Sequence, residues 1–172
     1  ADCVPLLLAD TDTGAVAAVH AGWRGMAARA PCAAVQAMTR AAGSRPDALM
    51  AAVGPSVGAC CYEVGAEVYQ AFTAAGFTST QLERWFLPAA REDRANPPMP
   101  GVGAARPRLG HWYLDGWAVV REMLEEAGLR SDRIHVARLC TASHPAWLCS
   151  YRRDGGAAGR VAAAIRARRR AR

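Results

Sequence analysis

The chain has no lysine, and all 21 of its basic residues are arginine. This bias, together with the richness in alanine, is typical of the codon usage of a GC-rich genome. The sequence also lacks an apolar run long enough to span a bilayer, a signal-peptide pattern and a Cys-x-x-Cys pair. We therefore expect a cytoplasmic protein with no membrane partner and no structural zinc ribbon.

Positive charge is concentrated at the end of the chain. The formal net charge is +6, and a terminal run with no acidic residue supplies six positive charges: Arg160, Arg166, Arg168, Arg169, Arg170 and Arg172. The rest of the chain is therefore formally neutral. A solvated basic terminus explains this pattern better than a nucleic-acid surface, so we expect no nucleic-acid partner.

Composition predicts one globular domain. A chain of 172 residues with 52% hydrophobic and 21% charged residues can bury a substantial core. There are six cysteines and no secretory signal, so we expect reduced thiols rather than disulfides.

Turn residues and apolar periodicity predict alternating strands and helices. We expect a hairpin around residues 10–14, strands at 48–53 and 134–139, and helices at 26–42, 66–75 and 112–127, with Pro31 kinking or delaying the first helix. Residues 91–110 hold four of the ten prolines and are expected to be a flexible surface loop. The resulting prediction is a single α/β or α+β domain over residues 1–172, a mixed β-sheet with a β-hairpin and flanking helices.

The first hairpin brings a cysteine towards a histidine. If Ala9 pairs with Gly14, antiparallel partners have numbers that sum to 23, and Cys3 lies opposite His20. Opposed Cβ atoms are about 5 Å apart, close enough to share a metal ion or to form a nucleophile–base pair. Spacing alone equally allows a chance coincidence, and a slip of one residue would separate the two side chains.

Four segments together resemble the laccase-domain, or multicopper polyphenol oxidase, family. They are residues 1–3 (ADC) with the strand that follows, 20–25 (HAGWRG), 54–65 (GPSVGACCYEVG), and 140–141 (CT) followed by 150–154 (SYRRD). Their order and spacing match the family from end to end of the chain. One departure is Cys149, where the family usually has an aromatic residue, and we expect that change to affect packing only.

The resemblance implies a zinc-dependent purine nucleoside phosphorylase that also deaminates adenosine and cleaves methylthioadenosine. Its zinc is held by two histidines and a cysteine, of which Cys3 and His20 match two. The third is expected in a Gln-Val-His-Gly segment upstream of Ala1, so we expect the N-terminal part of the domain to be missing. The substrates implied are adenosine, inosine and phosphate.

Arginines are the candidates for binding phosphate, because guanidinium groups can bind it through two hydrogen bonds. Arg24 and Arg152 are the predicted phosphate ligands, and Arg24 also lies at the predicted start of a helix, where free N–H groups favour anions. For Arg153, surface ion pairing is at least as good an explanation. Asp115 is expected to cap its helix rather than orient a ligand.

Three alternatives stay open. A copper phenol oxidase, suggested by the family's older name, needs more histidines than the four present, and none forms a His-x-His pair. His111, His135 and His144 fall outside the ligand motifs and are expected to be surface or packing residues. A metal-free hydrolase or deamidase would use Cys3 as nucleophile and His20 as base. A purine- or protein-binding domain without turnover is the non-enzymatic alternative.

Overall fold

Two β-sheets and the helices packed on them make up the fold. The computed structural model describes residues 1–91, 93–99, 101 and 106–167. The strands are β1 (Val4–Asp10), β2 (Val16–Ala21), β3 (Leu49–Val53), β4 (Glu63–Val64), β5 (Phe86–Leu87), β6 (Trp112–Leu114) and β7 (Ile134–Val136). The helices are α1 (Trp23–Ala27), α2 (Ala30–Ala42), α3 (Ala66–Ala74), α4 (Ser79–Trp85), α5 (Gly116–Glu126) and α6 (Tyr151–Asp154).

The main sheet has the strand order β2-β1-β3-β7, with β3 and β7 parallel and the other neighbours antiparallel. It is therefore the mixed sheet predicted from the sequence. A second, antiparallel sheet with the order β4-β6-β5 was not expected. The α/β prediction is confirmed. Within the described residues, no helix is both long and apolar enough to cross a membrane.

The core lies between the main sheet and the helices. One face of β1 buries Val4, Leu6 and Leu8, as expected for a strand whose alternate side chains point to one side. Helix α5 turns an apolar stripe towards the same core, and α2 packs against both β2 and α5. The opposite face of β1, which carries Pro5 and Leu7, borders a solvent cleft.

The predicted hairpin register was wrong by two residues. Ala9 pairs with Val16 and Pro5 with His20, so partner numbers sum to 25 rather than 23. The reason is the turn: Asp10 ends β1, its Oδ1 accepts hydrogen bonds from the N–H groups of Asp12 at 2.8 Å and Thr13 at 3.2 Å, and Gly14 takes the left-handed conformation. Because the error is an even number, Cys3 and His20 stay on the same face of the sheet.

Buried Asp10 is held as a carboxylate. Desolvation raises its pKa, but hydrogen bonds from Ser44, Thr13 and two main-chain N–H groups outweigh that effect and bring the pKa to about 2. The hairpin turn is therefore stabilised by the ionised form of Asp10.

Two helix predictions need correction. The helix expected over residues 26–42 is divided into α1 and α2 at Arg29, which has a positive φ of 55°. The expectation that Pro31 delays the start of the helix is confirmed, because Pro31 lies in the first turn of α2. Residues 112–114 form strand β6 instead of opening a helix, because they pair with β4 and β5 on either side. Helix α5 begins after them, at Gly116.

The segment predicted as a flexible loop at 91–110 contains no helix or strand in its described residues, while 92, 100 and 102–105 lie outside the description. It is anchored at Asn96, which is buried. The Asn96 side chain donates to the carbonyl of Arg138 at 2.9 Å and accepts from the N–H of Cys140 at 2.7 Å. This part of the segment therefore packs against the chain that follows β7.

Candidate active site

Cys3 and His20 converge beside Gly22. Cys3 directly precedes β1, His20 is in β2, and both side chains are exposed. A Cβ added to Gly22 would lie 2.8 Å from Cys3 Sγ and 3.8 Å from His20 Nε2, so the two atoms flank one small space that only glycine leaves open. Both residues line a cleft of about 360 Å³. The prediction that they share a cleft is confirmed, although Pro5, not Cys3, lies directly opposite His20.

The donor types at this point suit a metal ion. A cysteine sulfur and a histidine nitrogen are ligands that Zn²⁺ prefers. Partial desolvation raises the pKa of the Cys3 thiol above its ordinary value, and the nearby Asp2 carboxylate raises it further. Without a bound cation the thiol is therefore protonated near neutral pH, which disfavours a free thiolate nucleophile.

Asp2 clamps the segment that carries Cys3. Its Oδ1 accepts a hydrogen bond from the Thr141 hydroxyl at 2.5 Å, and its Oδ2 accepts one from the N–H of Arg152 at 2.6 Å. Its carbonyl accepts from the N–H of Val57 at 3.1 Å, and its φ is +71°, an uncommon conformation for a residue other than glycine. Three separate segments thus fix the residue next to Cys3. Sequence reasoning gave Asp2 and Thr141 no role of their own.

Tyr62 lies close to Cys3 and to the two candidate phosphate ligands, Arg24 and Arg152. It is partly buried, and the centre of the Arg152 guanidinium lies 5.5 Å from the centroid of its ring. Desolvation raises the pKa of Tyr62 to about 12; negative charge on Cys3 also raises it, while the positive charges of Arg152 and Arg24 lower it. Tyr62 therefore stays a neutral phenol at physiological pH. Sequence analysis pointed towards Tyr62 through the segment 54–65, one of the four segments that carry the family resemblance.

The two predicted phosphate ligands lie on the side of the site near Tyr62. Arg152 lines a second cleft, of about 240 Å³, together with Tyr62 and Trp23. Arg24 is exposed, and its guanidinium lies over the Trp23 ring at 4.2 Å from the centroid. The helix that begins here, α1, has only five residues, so its dipole contributes little and the arginine side chains carry the positive charge.

Arg153 and Asp115 have structural roles. Arg153 donates hydrogen bonds to the carbonyls of Thr141 at 3.0 Å and Leu148 at 2.9 Å, and it pairs with Asp154 at 2.7 Å. Asp115 caps α5 by accepting from the N–H of Ala118 at 3.0 Å, as predicted, and it also forms an ion pair with Arg91.

None of the other three histidines lines the cleft of Cys3 and His20, although His111 lines the second cleft with Tyr62 and Arg152. His111 contacts the carbonyl of Leu109 at 3.1 Å, and His135 is exposed on β7. The ring of His144 contacts the carbonyl of Cys140 at 2.8 Å and stacks on Trp147. None of the three joins a cluster of three or more potential metal ligands in the described parts of the chain.

Three other cysteines do form such a cluster. Cys60, Cys61 and Cys140 are buried, and their sulfur atoms all lie within 4.8 Å of one another. All six cysteines of the chain are free thiols. Thiol hydrogen bonds from Cys60 and Cys61 lower the pKa of Cys140, and the same contacts with Cys140 raise the pKa of Cys60 and of Cys61. This group could hold a metal ion, and sequence reasoning left its role undefined.

Comparison with known proteins gives a consistent picture. The family model described as multi-copper polyphenol oxidoreductase laccase matches residues 1–168. A purine nucleoside phosphorylase of Bacteroides thetaiotaomicron is 33% identical over 165 residues, which cover 96% of this chain and 54% of that protein. Adenosine deaminase RL5, from an unknown prokaryotic organism, is 34% identical over 161 residues, covering 94% of this chain and 53% of that protein.

A solved structure agrees with the sequence comparisons. The crystal structure of the Bacillus licheniformis hypothetical protein YfiH is similar with a TM-score of 0.73 and 29% identity, over 89% of this chain and 50% of that one. The chain therefore spans about half the length of the relatives it matches.

Proposed function

The chain belongs to the multi-copper polyphenol oxidoreductase laccase family, and we propose that it acts as a zinc-dependent purine nucleoside phosphorylase. The substrates proposed are adenosine, inosine and methylthioadenosine, with deamination of adenosine as a second activity. Relatives named purine nucleoside phosphorylase and adenosine deaminase support both reactions. We propose the cytoplasm as its location, in keeping with its six free thiols.

The observation that carries the proposal is the convergence of Cys3 Sγ and His20 Nε2 on the space beside Gly22. These two side chains are the proposed zinc ligands and catalytic residues. No third Cys, His or carboxylate completes a cluster with them in the described residues. The third ligand that we propose is a histidine upstream of Ala1. Cys3 and His20 would hold the zinc ion, which would supply Lewis acidity for both proposed reactions.

Other residues of the chain position Cys3 and bind phosphate. Asp2 holds Cys3 in place through Thr141 and the N–H of Arg152. Arg152 and Arg24 are the proposed phosphate ligands, because the positive charges of both are close enough to Tyr62 to lower its pKa. Phosphorolysis forms a bond between a phosphate oxygen and ribose C1′ and breaks the bond from C1′ to the purine, so positioning the phosphate is the main requirement.

Tyr62 contributes a neutral hydroxyl and an aromatic wall to the cleft that it shares with Arg152. With a pKa of about 12 it keeps its proton at neutral pH. We propose that it donates a hydrogen bond to substrate and closes the space between the Cys3–His20 pair and the arginines. It adds no negative charge that would repel phosphate.

Product analysis of the natural protein tests this proposal. Incubation with inosine should yield hypoxanthine and ribose 1-phosphate only when phosphate is present, and adenosine should additionally yield ammonia. Oxidation of phenols with copper in place of zinc would support the laccase alternative. Phosphate-independent hydrolysis that survives chelators would support the metal-free Cys3–His20 enzyme, and purine binding without products would support a non-catalytic domain.

A further inference from the structure

Three buried cysteines from distant parts of the chain meet outside the proposed catalytic site. Cys60 and Cys61 lie in the loop between β3 and β4, and Cys140 follows β7. Their side chains are at most 3% exposed, and their sulfur atoms lie within 4.8 Å of one another. The proposed reaction uses none of them. A cluster of three free thiols in a protein interior therefore needs its own explanation.

Main-chain hydrogen bonds hold the two segments together independently of the sulfur atoms. The N–H of Ser56 donates to the carbonyl of Leu139 at 3.2 Å, and the N–H of Thr141 donates back to the carbonyl of Ser56 at 3.1 Å. The N–H of Gly58 also donates to Cys140 Sγ at 3.3 Å. The three sulfur atoms are therefore brought together by the fold and are preorganised for a common ligand.

A fourth potential ligand atom and a cavity lie next to the sulfur atoms. Ser143 Oγ lies 3.6 Å from the sulfur atoms of both Cys60 and Cys61. Cys60 additionally lines a cavity of about 140 Å³ bordered by Arg91 and Asp115. A metal site needs both a plausible set of ligands and a path by which the ion can reach them.

We propose that Cys60, Cys61 and Cys140 hold a second metal ion, a thiophilic cation of the class of Zn²⁺ and Cu⁺. Thiolate sulfur is the ligand that both ions favour. Zn²⁺ takes four ligands in structural sites, and Ser143 Oγ or a water molecule completes that number. Cu⁺ is satisfied by the three sulfur atoms alone. Binding displaces the thiol protons to solvent and involves no change of oxidation state.

The ion would act as a structural clasp. Tyr62 directly follows Cys61, and Thr141, which holds the Asp2 carboxylate, directly follows Cys140. An ion shared by the three cysteines therefore ties together the two segments on which the Cys3 environment rests. The presence of the ion does not depend on the function proposed for Cys3 and His20.

To test this, the proposed Cys3–His20 metal site is first removed with the double substitution Cys3→Ala and His20→Ala. This parent variant is reduced and loaded without oxygen, either with Co²⁺ as the spectroscopic substitute for Zn²⁺ or with Cu⁺ in competition with a chelator. We expect one bound ion per chain, thiolate-to-cobalt charge-transfer absorption, and three sulfur neighbours at about 2.3 Å by X-ray absorption of a Zn²⁺-loaded sample.

Cys61→Ala in the same parent should abolish that binding. Cys32→Ala is the matched control, because Cys32 is a partly buried thiol that contacts the Met123 carbonyl and lies outside the cluster. If Cys61→Ala does not fold, the sulfur count decides: three sulfur neighbours support the site and fewer contradict it. Binding that Cys61→Ala leaves intact, uptake of neither ion, or a disulfide within the cluster in anaerobically purified protein would overturn the proposal.

Discussion

Replacing Gly22 with alanine tests whether Cys3 and His20 act as a pair. Gly22 has extended backbone angles of φ −73° and ψ 173°, which any residue can adopt, so the substitution introduces no backbone strain. The added methyl group would instead lie 2.8 Å from Cys3 Sγ and 3.8 Å from His20 Nε2. The perturbation is therefore steric and falls between the two proposed ligands.

The size of the effect follows from these distances. A nonbonded contact of this kind is normally at least about 3.5 Å, so Cys3 Sγ has to move by roughly 0.7 Å. Metal–ligand distances tolerate only about 0.2 Å. We expect zinc affinity to fall by about 10- to 100-fold, or about 1.4 to 2.8 kcal/mol. Because Cys3 is exposed and can turn away, the free energy of unfolding of the apoprotein should change by less than about 1 kcal/mol.

Competition with a zinc-binding dye measures the affinity, and urea unfolding of the apoprotein measures the stability. Gly25→Ala is the matched control: its methyl group would lie 3.4 Å from the His20 carbonyl and 3.7 Å from Ala30 Cβ, which are ordinary contacts. That variant should bind zinc as the unmodified protein does. Unchanged zinc affinity in Gly22→Ala would refute the placement of the ion between Cys3 and His20.

Three further predictions address the hairpin, the phenol and the arginine. Above pH 4 the ionised Asp10 contributes about 2 kcal/mol to the free energy of unfolding, and this contribution is lost as the pH falls from about 4 to about 2. Urea unfolding across that range should show the loss, and Asp10→Asn should remove this pH dependence. Tyr62 should ionise near pH 12 in the folded chain and near pH 10 in the unfolded chain, so the free energy of unfolding should fall as the pH rises between those values. Absorbance titration against Tyr62→Phe checks the pKa, and ionisation near pH 10 would contradict it. Arg152→Ala should raise the KM for phosphate by about 10- to 100-fold while the exposed control Arg160→Ala leaves it unchanged, and an unaltered KM in Arg152→Ala would remove that residue from the phosphate site.

The sequence predicted correctly the part of the site that lies on a single hairpin. Strand alternation placed Cys3 and His20 on one face, and that prediction survived an error in the register because the error was even. Spacing could not reveal that the Asp10 side chain organises the turn and shifts the pairing. It also could not identify β6, which becomes a strand only because two-residue partners lie on both sides of it.

The rest of the site depends on contacts between residues far apart in the chain. Asp2 meets Thr141 and Arg152 across almost the whole sequence. Cys140 joins Cys60 and Cys61 only when the segment after β7 aligns with the loop after β3. No periodicity encodes such meetings, because they follow from the order of strands in the sheet. The local signals for these residues were the family segments that contain them, at 1–3, 54–65, 140–141 and 150–154.

Cys3 and His20 are the proposed ligands of the catalytic ion of a nucleoside phosphorylase. The most direct test measures metal content and phosphate-dependent inosine cleavage on the same samples of the natural protein, Cys3→Ala and the control Cys32→Ala. We predict that Cys3→Ala loses one zinc ion per chain together with its phosphorolysis, while Cys32→Ala keeps both. Full phosphorolysis and undiminished zinc in Cys3→Ala would contradict the claim.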